Sequence, residues 1–344
     1  MAERGFTAPT WPTAYGGAGL DKADAKILAD EMRALKLWPP LIGFGLSMIG
    51  PLLLAEGTEE QKREHLPKIA RGEIRWCQGY SEPGAGSDLA SLTTRAVREG
   101  DHFVVNGQKV WTSFADHADW MFLLVRTSAT GKKQDGITFV LMDMAWPGVS
   151  VRPIRLISGS SPFCETFLAD VHIPVANVVG HIDQGWPIAR ALLGHERTML
   201  GDVFKNPAGR ADLLAAARRY LGAGEDGRLG DPVLRDRIAE LEVDQECFDL
   251  VLLHARAAAK AGHKPGHESS IFKLYGTELN QRRKALRVAA AGPQATGWTG
   301  PGFDPAELTA TRDWLRSRGN SIEGGTSEIQ LNIIAKRVLG LPEK

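Results

Sequence analysis

Both ends of the chain carry apolar residues spaced three and four apart, and the stretch between Ile74 and Ile173 does not. That interruption limits the fold more than any other feature. Its runs HFVVNGQKVWTS, WMFLLVRTS, GITFVLMD and ETFLADVHIP are rich in β-branched and aromatic residues, whose side chains suit a pleated surface. No helical crossover separates them, so an antiparallel β domain is predicted, as a small barrel or sandwich. Asn106-Gly107 reads as a turn between two of its strands.

Upstream, Ala23, Ile27, Leu28, Met32, Leu35 and Leu37 follow a helical period behind Asp21, a residue type that caps free helix N–H groups. Glu59 to Ala70 repeats the pattern more weakly, and the Gly- and Pro-rich lead-in from Trp11 to Gly19 reads as loop. After Gly185 come amphipathic stretches over 186–199, 210–220, 231–261 and 268–291, then shorter ones over 305–318 and 327–339. Long helices with short breaks predict a helical bundle. The 344 residues exceed one ordinary core, and the order helical, β, helical predicts an α+β multidomain fold divided at 1–73, 74–182 and 183–344.

Lys plus Arg and Asp plus Glu both number 41, so global charge favours neither nucleic acid nor an anionic membrane as partner. Three widely separated cysteines, Cys77, Cys164 and Cys247, argue against a disulfide framework and a thiolate metal site. No secretory h-region opens the chain and no run is apolar for long enough to span a bilayer, so a cytoplasmic location is expected. His102, His117, His195 and His267 form no metal-ligand spacing, and Gly45-Leu46-Ser47-Met48-Ile49 lacks the closing glycine of a nucleophile elbow.

Two segments carry chemistry. In Trp76-Cys77-Gln78-Gly79-Tyr80-Ser81-Glu82-Pro83-Gly84-Ala85-Gly86-Ser87-Asp88, small residues admit a ligand close to the backbone, and hydroxyls and N–H groups can donate to it. It is no dinucleotide fingerprint, because the third glycine and the crossover helix are missing. The second, Lys109-Val110-Trp111-Thr112-Ser113, sets an aromatic face beside hydroxyls at a strand end. Either alone is an ordinary turn or core aromatic; together they are specific.

WCQGYSEPGAGSDLASL, DHFVVNGQKVWTSFADHADWMFLLVRT, ETFLADVHIPVANVVGHIDQGW and RGNSIEGGTSEIQLNIIAKRVLGLP, in this order, resemble the signatures of the acyl-CoA dehydrogenase family. The resemblance implies a helical domain, a β domain and a four-helix bundle, FAD as cofactor, and α,β-dehydrogenation of an acyl-CoA thioester in lipid catabolism. An electron-transfer flavoprotein is the implied acceptor, and a homo- or hetero-oligomer the implied assembly. Matching positions place Tyr80, Ser81, Trp111 and Ser113 at the flavin ring, with Gly86 also toward the cofactor. They place Ser87 at the mouth of the acyl-CoA channel or near the pyrophosphates, and Thr326 and Glu328 near the ribityl-diphosphate.

The family carries its catalytic glutamate in either of two places. The place before the Gly-Thr of the C-terminal signature holds Gly324 here, whose N–H would instead donate to the thioester carbonyl. The other precedes an arginine on a bundle helix and here holds Glu196, followed by Arg197 on the substrate side. Glu323 is the alternative base. Relative to full-length members the first signature comes early, so the N-terminal helical domain is expected to be shortened. Where many members carry an Arg-x-x-Phe-Gly segment reaching the FAD of a neighbouring subunit, this chain has LGAGEDGRLGDPVL with Arg228 alone to substitute. A non-catalytic or FAD-completing subunit, and a flavin oxidase or monooxygenase on the same fold, are the rival readings.

Overall fold

The computed structural model describes residues 1–193, 207–262 and 266–342. They form two compact units, residues 1–155 with 161–192, and residues 156–160 with 193–344.

In the first unit, helix α1 (Lys22–Ala34) starts where the Asp21 carboxylate accepts from the N–H groups of Ala23 and Asp24. A π-helical turn over Gly45–Ile49 leads into α2 (Gly50–Glu56), and α3 (Glu59–Arg71) opens with a reciprocal capping box between Thr58 and Gln61. Gly50 is required by crowding: a Cβ there would lie 2.2 Å from the Trp11 ring. Helix α3 packs on the β region through His65, whose ring meets those of Trp76 and Trp120 at 5.2 and 4.6 Å between centroids. Gln61 adds hydrogen bonds to the carbonyls of Ala176 and Val178. Burial holds the His65 imidazole down to about 4, so it stays neutral at physiological pH.

The β region is one sheet of β1 (Trp76–Gly79), β2 (Arg95–Glu99), β3 (His102–Ser113), β4 (Trp120–Arg126), β5 (Ile137–Asp143), β6 (Val149–Ile154) and β7 (Phe163–Pro174). The order is β1-β4-β2-β3-β7-β6, with β5 on β4. It departs from a purely antiparallel sheet at β4: β1 runs parallel to it, and β2 meets it in parallel at Arg95 and Arg126. The crossover such a pair needs is supplied by the β2–β3 hairpin, not by a helix. Asn106-Gly107 is no turn either. It lies within β3, and the hairpin turn is at Gly100-Asp101, between the paired Glu99 and His102. Asn106 instead spans a bulge in β7, where Asp170 takes φ +51°: its amide donates to the Asp170 carboxylate and its carbonyl oxygen accepts from the Asp170 N–H.

The second unit contains α4 (Pro207–Leu221), α5 (Pro232–Lys260), α6 (Ser269–Ala291), α7 (Pro305–Ser317) and α8 (Ser327–Ile333). Leu234, Ile238, Leu241, Phe248 and Leu252 line the inward stripe of α5 and meet Leu279, Leu286 and Ala290 of α6, with Leu213 and Ala217 of α4 completing the core. Helix α6 is central, touching each of the other four.

Candidate functional site

The first signature is a loop clasped to a strand. Past β1, the Glu82 carboxylate turns inward and accepts from Thr93 N–H at 2.6 Å, Thr93 Oγ1 at 2.9 Å and Thr94 N–H at 2.9 Å. Lys109 on β3, with no solvent exposure, donates to Glu82 Oε1 at 2.8 Å and to the Tyr80 carbonyl at 3.2 Å. One residue on, Val110 N–H donates to the Ser81 carbonyl at 2.9 Å. Tyr80 and Ser81 are thereby fixed beside Trp111. Burial opposes ionisation of Glu82, but the Lys109 ammonium and the hydrogen bonds outweigh it and hold the carboxyl down to about 2. Burial draws Lys109 down to about 8 against the pull of Glu82, which leaves the pair ionised at neutral pH.

Trp111 is presented by a bulge. Lys109 faces Thr166 and Thr112 faces Cys164, so β3 takes three steps where β7 takes two. The irregularity puts Trp111 at φ +60°, a conformation costing an L-residue roughly 1–2 kcal/mol, and turns its side chain out to 55% exposure against the edge of Phe163. Phe114, at φ +53° and 58% exposed, continues the aromatic surface beyond Ser113. Gly86 and Ser87 lie farther along the loop in the open, and a Cβ at Gly84 or Gly86 would meet nothing within 4 Å. Glu82 and Lys109 stand inside the two motifs, but the sequence alone gave them no role. Alternation from Phe103 and Val105 through Gly107 puts Lys109 on the inward face, which is the signal that finds them.

In the second unit the C-terminal signature is a turn pinned from several sides. Gly324 and Gly325 take φ of +65° and +94°. Gln330 Nε2 donates to the Gly324 carbonyl at 3.0 Å and to that of Gly325 at 3.3 Å. Lys273 on α6, also without solvent exposure, donates to the Gly325 carbonyl at 2.7 Å. Its burial lowers the ammonium's pKa, and the fields of Glu323 and Glu328 resist this.

Thr326 caps α8 by accepting from Ile329 N–H. Glu328 is exposed in the first turn, where its own N–H and the Thr326 hydroxyl hold its carboxyl below the usual range. Glu323, the alternative base, is occupied: Arg316 donates to one carboxylate oxygen at 2.7 Å and Asn320 to the other. Glu196 and Arg197 lie outside the described residues. Arg228 sits in a tight loop closed by the Ala223–Leu229 bridge, paired with Asp226 at 3.4 Å and largely exposed. Among the described residues no cluster of His, Cys, Asp and Glu suits a metal ion, and no helix is long and apolar enough to cross a membrane.

An exposed aromatic surface flanked by hydroxyls fits a flat conjugated ring, and the open ground before Gly84 and Gly86 fits a ligand laid along the backbone. Residues 1–73, 77–171 and 183–339 match the family models for the N-terminal, middle and C-terminal domains of acyl-CoA dehydrogenase. The chain is 38% identical to the acyl-CoA dehydrogenase FadE34 of Mycobacterium tuberculosis over 99% of its own length, and spans 45% of that protein. It is 36% identical to the acyl-CoA dehydrogenase IpdE1 of Mycobacterium tuberculosis, covering 100% of this chain and 87% of that one. Among solved structures, the Tcur3481-Tcur3483 steroid ACAD superposes with a TM-score of 0.85 at 32% identity, over 100% of this chain and 87% of that one.

Proposed function

The chain belongs to the acyl-CoA dehydrogenase family, a family of FAD-dependent oxidoreductases, and on that premise we propose that it takes part in converting an acyl-CoA thioester to its trans-2-enoyl-CoA. The observation that carries the reading is the clasp that sets Tyr80 and Ser81 beside the bulged Trp111. Trp111, Ser113, Tyr80 and Ser81 would border the flavin ring, and Gly86 and Ser87 would lie along the remainder of the cofactor, with Ser87 also toward substrate. Bound FAD supplies the hydride acceptor.

The protein's part is to hold the thioester, remove its α-proton and stabilise the charge that grows on its carbonyl oxygen. Glu196 is the base, with Arg197 beside it. The engagement of Glu323 by Arg316 and Asn320 supports that choice over the alternative. The Gly324 N–H donates to the carbonyl oxygen. Electrons leave to an electron-transfer flavoprotein, in the cytoplasm, from an oligomer. Because a similar solved structure is that of a steroid ACAD, ring-bearing acyl-CoA thioesters are the first substrates to try.

Anaerobic bleaching of bound flavin by a panel of acyl-CoA thioesters tests the reading, and Glu196→Gln should abolish it while FAD and thioester stay bound. A Glu196→Gln protein that still bleaches sinks the assignment of the base. One observation favours a second reading, an FAD-completing subunit of a heteromer: Arg228 is engaged with Asp226 in an exposed loop. Flavin that no acyl-CoA bleaches, with FAD retained only beside a partner chain, would select it.

A further inference from the structure

We infer that Lys273, assisted by Gln330, is a positioning residue that aims the Gly324-Gly325 turn at the substrate's thioester carbonyl; this rests on the dehydrogenase reading above. An ammonium without solvent exposure carries a large desolvation cost, and in stability terms a methionine of similar length would serve the interior of α6 as well or better. What Lys273 holds is specific: the Gly325 carbonyl, at 2.7 Å, one peptide away from the carbonyl that Gln330 holds at 3.0 Å. Two successive peptide planes are therefore fixed at a pair of glycines whose backbone would otherwise be the freest in the segment. Fixing a carbonyl fixes the N–H on the other side of the same rigid peptide. The planes so fixed carry the N–H groups of Gly325 and Thr326, and the Gly324 N–H lies in the plane just before them, set between the held Gly324 carbonyl on one side and Glu323, anchored by Arg316 and Asn320, on the other. Donors that stabilise a developing oxyanion work by being held in place before the charge appears. Lys273 and Gln330 do the holding, and neither need touch substrate.

The test uses the full chain loaded with FAD, with its partner if it purifies with one. In Lys273→Met the rate of anaerobic flavin reduction should fall on the order of 10²-fold, the usual penalty for a displacement near 1 Å, with the concentration of acyl-CoA for half-maximal rate little changed. The second readout needs no turnover: the carbonyl stretch of a trans-2-enoyl-CoA labelled with 13C at the thioester carbonyl should shift down on binding the parent and shift less in Lys273→Met. Hydrogen exchange at residues 323–326 should quicken in the variant while the rest of the unit is unchanged. Lys273→Met with parental rate, shift and exchange overturns the inference. A parent showing neither reduction nor shift overturns the dehydrogenase reading instead, and the exchange result still decides whether Lys273 orders the turn. Should Lys273→Met fail to fold, Gln330→Met decides on the same readouts.

Discussion

Lys109 and Lys273 are both removed from solvent, and each directs its ammonium at a backbone carbonyl of a glycine-rich turn, that of Tyr80 at 3.2 Å and that of Gly325 at 2.7 Å. They differ in what answers the charge. Glu82 meets Lys109 at 2.8 Å, with three further hydrogen bonds from Thr93 and Thr94 on the same carboxylate. For Lys273 the carboxylates that act on it are otherwise engaged: Glu323 with Arg316 and Asn320, Glu328 with its own helix turn. The first lysine closes a structural clasp, and its removal should be felt by the whole fold. The second leaves its charge on a peptide, and its removal should be felt by that turn.

The largest effect should come from opening the clasp on one side. Lys109→Met leaves Glu82 buried without its cation and should cost about 3–5 kcal/mol, and Glu82→Gln a similar amount. The double variant should recover much of the loss, because neither buried charge remains. Urea unfolding of the parent, both singles and the double measures it; singles as stable as the parent would erase the contrast with Lys273.

Acid should act on the same clasp. The folded carboxyl of Glu82 lies at about 2 against an ordinary 4.5, so its contribution is present in full above pH 4.5 and is lost as pH falls from there through 2. The loss amounts to about 3 kcal/mol across that window. Glu82→Gln, less stable at neutral pH, should lack this part of the acid dependence. Parallel acid limbs in parent and variant would show that Glu82 is not held below the usual range.

Trp111 gives a smaller effect of opposite sign. Glycine adopts φ +60° freely, so Trp111→Gly relieves strain at a half-exposed position and should leave stability unchanged or raised by about 1 kcal/mol. FAD affinity should fall in the same variant, because the aromatic face is lost. A stability loss with unchanged FAD affinity would make Trp111 a packing residue.

Legibility in the sequence followed the range of the interaction responsible. Asp21 marked the start of α1 because capping is settled within three residues, and β3, β4, β5 and β7 showed through their composition. Asn106-Gly107 misled because its local turn preference lost to a long-range demand, the β7 bulge at Asp170 that the asparagine side chain bridges. Helix α2 was hidden by Gly50 and Pro51, yet Pro suits a helix's first turn and Gly50 answers to Trp11, remote in sequence. The aromatic and glycine residues of the site were visible as motifs. The roles of Glu82, Lys109 and Lys273 were not, because charged residues are read as solvated unless their place on an inward face is weighed first.

The smallest expected effect, and the sharpest for the comparison, belongs to Glu323→Gln. The amide keeps the carboxylate's shape, so one oxygen still accepts from Arg316, while the amide nitrogen faces a donor in place of the other oxygen. Local stability should fall by no more than about 1 kcal/mol, the worth of one modest hydrogen bond. Removing the charge also removes a field that favours the Lys273 ammonium. If Lys273 acts by holding the Gly325 carbonyl, that bond survives, and flavin reduction should slow only a few-fold, far less than in Lys273→Met. If Glu323 were the base, the same substitution would abolish reduction outright. Stopped-flow reduction of the variant by one acyl-CoA substrate, set beside Lys273→Met and Glu196→Gln, separates a residue that takes the proton from residues that only shape the turn beside it.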